Sequence, residues 1–267
     1  MNKVNILKQK IKDKKPVIGA SVTLRDPCIA ELMAGLGFDF IWIDTEHSSL
    51  DKKDVQLHIM ATSGTDAASF VRVPWNDPIL VKPILEMGPD GIIFPFIKTA
   101  EEAEKAVSSC RYPPDGTRGF GPIRATRYGL IDRSKYIKES DSQIWKIMQI
   151  EHIDAVKNLK SIVDVDGVDS IVIGLNDLSA SVGLLHNPNH EKIRELTDYI
   201  GDMAKSAGIP YGVAMEYNPK KIEEWLNRGV NWIELAGDFR FLFNAAREAL
   251  QGTRNMMLER KVNCNES

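Results

Sequence analysis

Eight short apolar runs alternate with amphipathic helical stretches along this chain, and that alternation limits the fold more than any other feature. The runs are Val17–Val22, Phe38–Asp44, Ala68–Val73, Gly91–Phe96, Lys146–Glu151, Ser170–Gly174, Pro210–Met215 and Trp232–Ala236. Most are continuously apolar rather than alternating, as parallel strands buried on both faces require. Between them lie helical patterns: Pro27–Leu36, Asp51–Thr62, Pro78–Met87, Ala100–Cys110, Ile153–Val163, His190–Ser206 and Pro219–Asn227. Several open with Pro or Asp/Ser, and Gly37, Gly88, Gly167, Gly208 and Gly229 separate a helix from the next strand. Eight βα units with no linker predict an α/β fold, a closed (β/α)8 TIM barrel, filling residues 1–267 as one domain. A doubly wound open sheet is the alternative, but it needs fewer strands and a switch point. Residues 1–15 supply an N-terminal helix (Asn5–Lys14) expected at the barrel floor. Residues 239–267 supply a C-terminal helix, Phe239–Leu258, and a polar tail.

Composition excludes several classes. With 27% charged residues and a formal net charge of −3, nothing points to nucleic acid. The lysine-rich Met1–Lys15 lacks the roughly 7–15-residue apolar core of a signal peptide. No apolar run approaches the roughly 18 residues needed to span a bilayer. Cys28, Cys110 and Cys264 are unpaired in spacing and odd in number. That favours a reducing, cytoplasmic setting over a disulfide framework.

In a barrel the chemistry gathers where strands end and βα loops begin. Those positions read Asp44-Thr45-Glu46-His47, Val71-Arg72-Val73-Pro74, Gln149-Ile150-Glu151 and Gly174-Leu175-Asn176-Asp177. They offer a base (His47), a fixed cation (Arg72) and two oxygen ligands for a hard divalent ion (Glu151, Asp177). Each has a plainer explanation. Glu151 would also favour the positive end of the next helix, and Asp177, with Asn176, sits where an N-cap belongs. His47 precedes a capping box. Arg72 would serve equally in a structural ion pair, although a guanidinium closing a buried strand is costly without an anion. All four nevertheless fall at one end of the barrel.

Other features weigh less. His186 and His190 have the spacing of a zinc pair, but Asn187-Pro188-Asn189 breaks the helix that would align them. His58 reads as a helix-surface residue. Gly116, Gly119 and Gly121 do not make a phosphate loop, because no strand feeds them and no Lys-Ser/Thr follows. The arginines of Arg111–Gly129 read as a solvated face, or as reaching a neighbouring subunit's site.

Together the motifs resemble the HpcH/HpaI aldolases, the class II pyruvate aldolases. The resemblance is carried by Phe38–His47, Val71–Pro78, Arg111–Gly119, Gln149–Glu151 and Gly167–Ser179, with consistent spacing over about residues 16–250. It implies a (β/α)8 barrel of the phosphoenolpyruvate/pyruvate-binding type. The implied assembly is a homo-oligomer, a hexamer or trimer of dimers, with a terminal helix exchanged between subunits. The implied reaction is reversible cleavage of a 4-hydroxy-2-oxo acid to pyruvate and an aldehyde, using Mg²⁺, Mn²⁺ or Co²⁺. By resemblance Glu151 and Asp177 hold the metal, Arg72 steadies the enolate, and His47 pairs with Asp44. Gln149, Gly174 and Asn176 belong to the substrate pocket.

Four departures concern the aldehyde half, one of them the segment Gly119–Ala125, which differs from the usual run. Many members carry tryptophan in the strand-one segment that reads Gly19-Ala20-Ser21 here, so Ser21 is expected to open the pocket. Glu86 replaces a relative's aspartate, and Leu175 stands at a common proline. Alternative readings are oxaloacetate decarboxylation, a citrate-lyase-like cleavage of a CoA thioester, and a non-catalytic scaffold.

Overall fold

The barrel is present. In a computed structural model, which describes residues 2–265, eight parallel strands close in the order β1 to β8. They are β1 (Val17–Val22), β2 (Phe40–Asp44), β3 (Ala68–Arg72), β4 (Gly91–Phe94), β5 (Trp145–Ile150), β6 (Ser170–Ile173), β7 (Tyr211–Met215) and β8 (Trp232–Gly237). The helices are α1 (Lys3–Lys12), α2 (Pro27–Leu36), α3 (Lys52–Thr62), α4 (Pro78–Glu86), α5 (Ala100–Cys110), α6 (Arg133–Ser140), α7 (Ile153–Lys157), α8 (Leu159–Val163), α9 (Leu175–Ser181), α10 (Glu191–Ala207), α11 (Pro219–Asn227) and α12 (Asp238–Asn265). Among the described residues no helix is long and apolar enough to cross a membrane.

Two stretches differ from the sequence reading. The helix expected over Ile153–Val163 breaks at Asn158, whose amide donates to the Lys98 carbonyl at 2.9 Å. The short helix α6 lies where no helix was read. His58 is not on the surface either: it is fully buried on the inner side of α3.

The strands sort their side chains by alternation. Ile41, Val71, Ile171 and Ile233 face the helices, whereas Phe40, Trp42, Phe70, Trp145 and Trp232 fill the lumen. Phe40 stacks on Phe70 at 5.1 Å and meets Trp232 edge-on at 5.4 Å. Glycine makes that column fit: a Cβ on Gly19 would stand 2.2 Å from the Phe40 ring, and one on Gly212 would stand 2.1 Å from Trp232.

Below the aromatics α1 closes the floor. Its Val4 and Leu7 join the lumen cluster. Lys10 pairs with Asp39, Lys8 lies 3.3 Å from Asp169, and Lys3 donates to the Thr62 and Ala67 carbonyls at 2.8 Å. The floor also repeats one device four times. Asp39, Asp90, Asp169 and Asn231 each precede an even-numbered strand. Their side chains accept from the backbone N–H of Ile18, Ser69, Lys146 and Tyr211, at 2.9, 2.8, 3.1 and 2.9 Å. The backbone N–H of each returns a bond to the carbonyl of the same residue.

At the opposite rim β8 slips against β1. Gly19 pairs with Glu234, but Ser21 pairs with Gly237, so β8 carries one extra residue between them. Ala236, inside the slip, has φ +63°.

Candidate active site

At the rim the lumen turns polar. Asp44 ends β2 and Arg72 ends β3 directly beside it in register. The guanidinium grips Asp44 twice, Nε to Oδ1 at 2.9 Å and Nη2 to Oδ2 at 2.6 Å. Its Nη1 lies 2.9 Å from Glu46 Oε2 and 3.5 Å from Gln149 Oε1. Below, Trp42 places its ring 5.2 Å from Arg72 Cζ, a cation–π contact that fixes the cation's height. Arg72 is therefore held on all sides, with the planar fork geometry that lysine lacks.

Glu151 follows β5 and is buried. Its Oε1 accepts from the Phe96 N–H at 2.8 Å, and its Oε2 accepts from the Gln149 amide. Phe96 aims that N–H from a left-handed conformation, φ +52°, a strained state for a non-glycine residue of the kind found at functional sites. Gly174 faces the same carboxylate; a Cβ there would stand 2.5 Å from Glu151 Oε2, so glycine is required.

Asp177 lies in the first turn of α9, half-buried. It is not an N-cap. Gly174 holds that position, without a side-chain bond, which leaves Asp177 for another role. Asn176 is exposed on the same turn.

The electrostatics are one-sided. Burial pushes the Glu46 carboxyl up to about 7; Arg72 pulls it down while Asp44 and Asp177 push it further. Burial likewise raises Glu151 to about 7, opposed by the Phe96 and Gln149 bonds and reinforced by Glu46 and Asp177. Four carboxylates (Asp44, Glu46, Glu151, Asp177) thus face one guanidinium.

The expected pairing of His47 with Asp44 takes a different form. Asp44 is occupied by Arg72 and by the backbone N–H groups of Glu46 and His47, at 3.0 and 3.3 Å. The carboxylate beside the His47 ring is Glu46, 3.8 Å from Nε2, and the ring stands largely in solvent at the mouth. Asp44 orients the arginine rather than the imidazole.

Ser21 joins the rim on β1, beside β8. Glu86 does not. Helices run from rim to floor in this fold, so the last residue of α4 lies at the far end, 3.9 Å from Arg118. The segment that follows is a solvated charged face only at Arg127, which is exposed. Arg118 is buried between Tyr112 and Tyr136, Arg111 pairs with Asp141 and Asp166, and Arg124 donates to the Met87 carbonyl and to Ser63. His190 caps α10 and holds no partner histidine, and among the described residues no three His, Cys, Asp or Glu side chains cluster for a metal.

Residues not singled out in the sequence complete the rim: Glu46, Phe96 and Glu234. Asp44 and Glu46, like Gln149 and Glu151, are two apart where a strand passes into its loop, which is the signal that marks Glu46. Glu234 is a lone charge inside an otherwise apolar strand. Nothing in the sequence marks Phe96, because its contribution is a backbone N–H.

The donors suit a hard cation. Two carboxylates with neither sulfur nor imidazole, set in an anionic surplus, match Mg²⁺ or Mn²⁺, which take one or two carboxylates and fill the remaining positions with water and substrate oxygens.

Comparison with known proteins agrees with this architecture. The family model described as HpcH/HpaI aldolase/citrate lyase matches residues 18–245. A 4-hydroxy-2-oxo-heptane-1,7-dioate aldolase of Shigella flexneri is 35% identical over 248 residues, 92% of this chain and 91% of that protein. The crystal structure of an HpcH/HpaI aldolase/citrate lyase family protein from Burkholderia cenocepacia J2315 superposes with a TM-score of 0.87 at 31% identity, covering 94% of this chain and 99% of that one. The citrate synthase SbnG superposes at 0.84 with 26% identity, covering 94% and 98%. The barrel, its polar rim and these matches agree: the chain belongs to the HpcH/HpaI aldolase/citrate lyase family and is a carbon–carbon lyase.

Proposed function

We propose that this protein is a divalent-cation-dependent class II aldolase that cleaves a 4-hydroxy-2-oxo acid to pyruvate, or a close 2-oxo acid, and an aldehyde. The observation that carries the reading is the surplus of rim carboxylates over cations, with Glu151 and Asp177 lacking any lysine or arginine within 4 Å among the described residues. Glu151 and Asp177 hold the cation, be it Mg²⁺, Mn²⁺ or Co²⁺. Once bound, such an ion supplies Lewis-acid stabilisation of negative charge developing on the 2-oxo acid.

The chain's own groups do the rest. Arg72, locked by Asp44 and Trp42, presents a permanent positive charge where the enolate forms. Gln149 holds Glu151 on one side and Arg72 on the other. Gly174 leaves room beside Glu151 for the oxo acid, and Asn176 lines the approach. His47 takes the proton from the 4-hydroxyl as the C3–C4 bond breaks and the aldehyde leaves, and the imidazolium returns that proton to the enolate carbon, C3. Glu46 sits where it steadies the imidazolium.

Homo-oligomerisation fits the apolar side chains that α12 leaves exposed, among them Leu242, Phe243 and Leu250. The family resemblance favours a hexamer or trimer of dimers, and the scattered cysteines favour the cytoplasm.

A panel of 4-hydroxy-2-oxo acids, assayed for pyruvate release, tests the proposal. Release should stop in EDTA, return with Mg²⁺ or Mn²⁺, and fall at least about 10²-fold in Glu151→Ala. Persistence in both EDTA and the variant refutes the cation mechanism. Because SbnG is named a citrate synthase, oxaloacetate is the second substrate to include.

A further inference from the structure

We infer that Glu234 and Ser21 form the wall of the mouth that meets the aldehyde half, and that they select an aldehyde bearing hydroxyl groups over one bearing a carboxylate. The inference rests on the aldol reading above and names the substrate class of the same site.

Glu234 is inside the lumen. On β8, Trp232 belongs to the aromatic column and Ile233 to the outer core, so alternation turns Glu234 inward with Trp232, one layer nearer the rim. It is only 6% exposed. A charge-bearing residue in such a strand is costly to retain without a partner. Yet no lysine, arginine or histidine nitrogen lies within 4 Å of its carboxylate among the described residues. The nearest cation, Arg72, is already committed to Asp44 and Glu46.

The backbone is bent to make this wall. The slip between β1 and β8 begins just after Glu234, and Ala236 takes φ +63° inside it. Bulges beside active sites re-aim side chains in this way. The slip also brings Gly237 against Ser21, where a Cβ would stand 2.9 Å from the Ser21 hydroxyl oxygen. Ser21 lies on β1 two residues beyond Gly19, the register partner of Glu234, and burial pushes the Glu234 carboxyl up to about 7. A hydroxyl and a carboxyl therefore stand on neighbouring strands of the lumen wall.

Their position assigns them to the distal half of the substrate. In the closed order β1 to β8, β1 lies opposite β5 and β2 opposite β6, and β8 adjoins β1. An oxo acid anchored at Glu151 and Asp177, on the β5 and β6 side, extends its C4 substituent across the mouth toward β1, where β8 forms the adjoining wall. Hydroxyls arriving there find an acceptor and a donor. A carboxylate arriving there either faces ionised Glu234 with no free cation to offset the repulsion or must take up a proton with it, and each costs more than receiving a hydroxyl. The curated relative of Shigella flexneri is named for a 1,7-dioate, a substrate with a carboxylate at each end.

The test runs the reaction in the synthetic direction, condensing pyruvate with glycolaldehyde or glyceraldehyde and, separately, with succinate semialdehyde. The natural chain should favour the hydroxylated aldehydes by at least about tenfold in kcat/KM. Glu234→Gln and Glu234→Ala should cut that preference about tenfold, chiefly through the KM of each aldehyde. Ser21→Ala should move it several-fold in the same direction, and it serves if the Glu234 variants fail to fold. A natural preference for succinate semialdehyde, or a ratio unmoved by the soluble variants, overturns the inference, because a purely structural role lowers both rates together. Exchange of pyruvate methyl protons with D₂O, with no aldehyde present, reads the enolate half alone. Exchange with an unmoved ratio defeats only the assignment of Glu234 and Ser21, whereas absence of exchange in the natural chain defeats the aldol reading beneath it.

Discussion

The two ends of the barrel carry the same residue types and use them in opposite ways. At the floor, Asp39, Asp90 and Asp169 each accept a backbone N–H from the neighbouring strand. Asp39 and Asp169 also meet lysines: Lys10 pairs with Asp39, and Asp169 lies between Lys8 and Lys146, at 3.3 and 3.0 Å. Each of these three acids has a backbone donor, and two of them a lysine as well. At the rim Asp44, Glu46, Glu151, Asp177 and Glu234 share one guanidinium, and burial plus mutual repulsion holds Glu46 and Glu151 near 7. The comparison teaches that an acid at a strand end is structural or functional according to whether its neighbourhood supplies enough positive charge. Residue type does not decide it.

Breaking each end should therefore have different effects. The largest contrast is between Glu151→Gln and Lys146→Met. The first should remove nearly all pyruvate release while leaving the melting temperature within a few degrees, because it relieves repulsion in a surplus of acids. The second strips the cation from a buried network joining Asp141, Asp169 and the Ile144 carbonyl. Removing one partner of a buried pair costs about 3–5 kcal/mol, which lowers the melting temperature of a chain this size by about 6–20 °C. Activity per folded molecule should survive. Loss of melting temperature in Glu151→Gln, or of activity in folded Lys146→Met, would dissolve the distinction.

A smaller effect concerns pH. Glu234 titrates near 7 in the folded chain against 4.5 ordinarily. Folding is therefore favoured by this group below pH 4.5 and loses that contribution as pH rises through about 7. The difference amounts to at most about 3 kcal/mol. In urea titrations between pH 5 and 8, Glu234→Gln should flatten the decline in stability. An unchanged slope would place the titrating group elsewhere.

Much of this was legible in the sequence. Continuous apolar strands and glycine-terminated helices carry the barrel, and Arg72, Gln149, Glu151 and Gly174 stand together as the strand ends suggested. Asp44 and His47 fall at the same rim, but which acid faces the imidazole depends on side-chain reach, which strand spacing does not encode. Glu86 ends α4 and so lies at the floor, and a motif position does not encode which end of its helix faces the chemistry. His58 was misread because an amphipathic pattern does not reveal how closely α2 covers α3. Phe96 acts through a backbone conformation that no side-chain pattern announces.

The aromatic column has a kinetic consequence. Phe40, Phe70, Trp145 and Trp232 block the lumen beneath the rim, and α1 seals what remains, so reactants share a single doorway. Glu151 lies deep and the His47 ring lies at the opening. On the proposed chemistry, cleavage must then release its products in sequence, the aldehyde before the oxo acid. Product inhibition should show it: pyruvate competitive with the aldol substrate, and the aldehyde not.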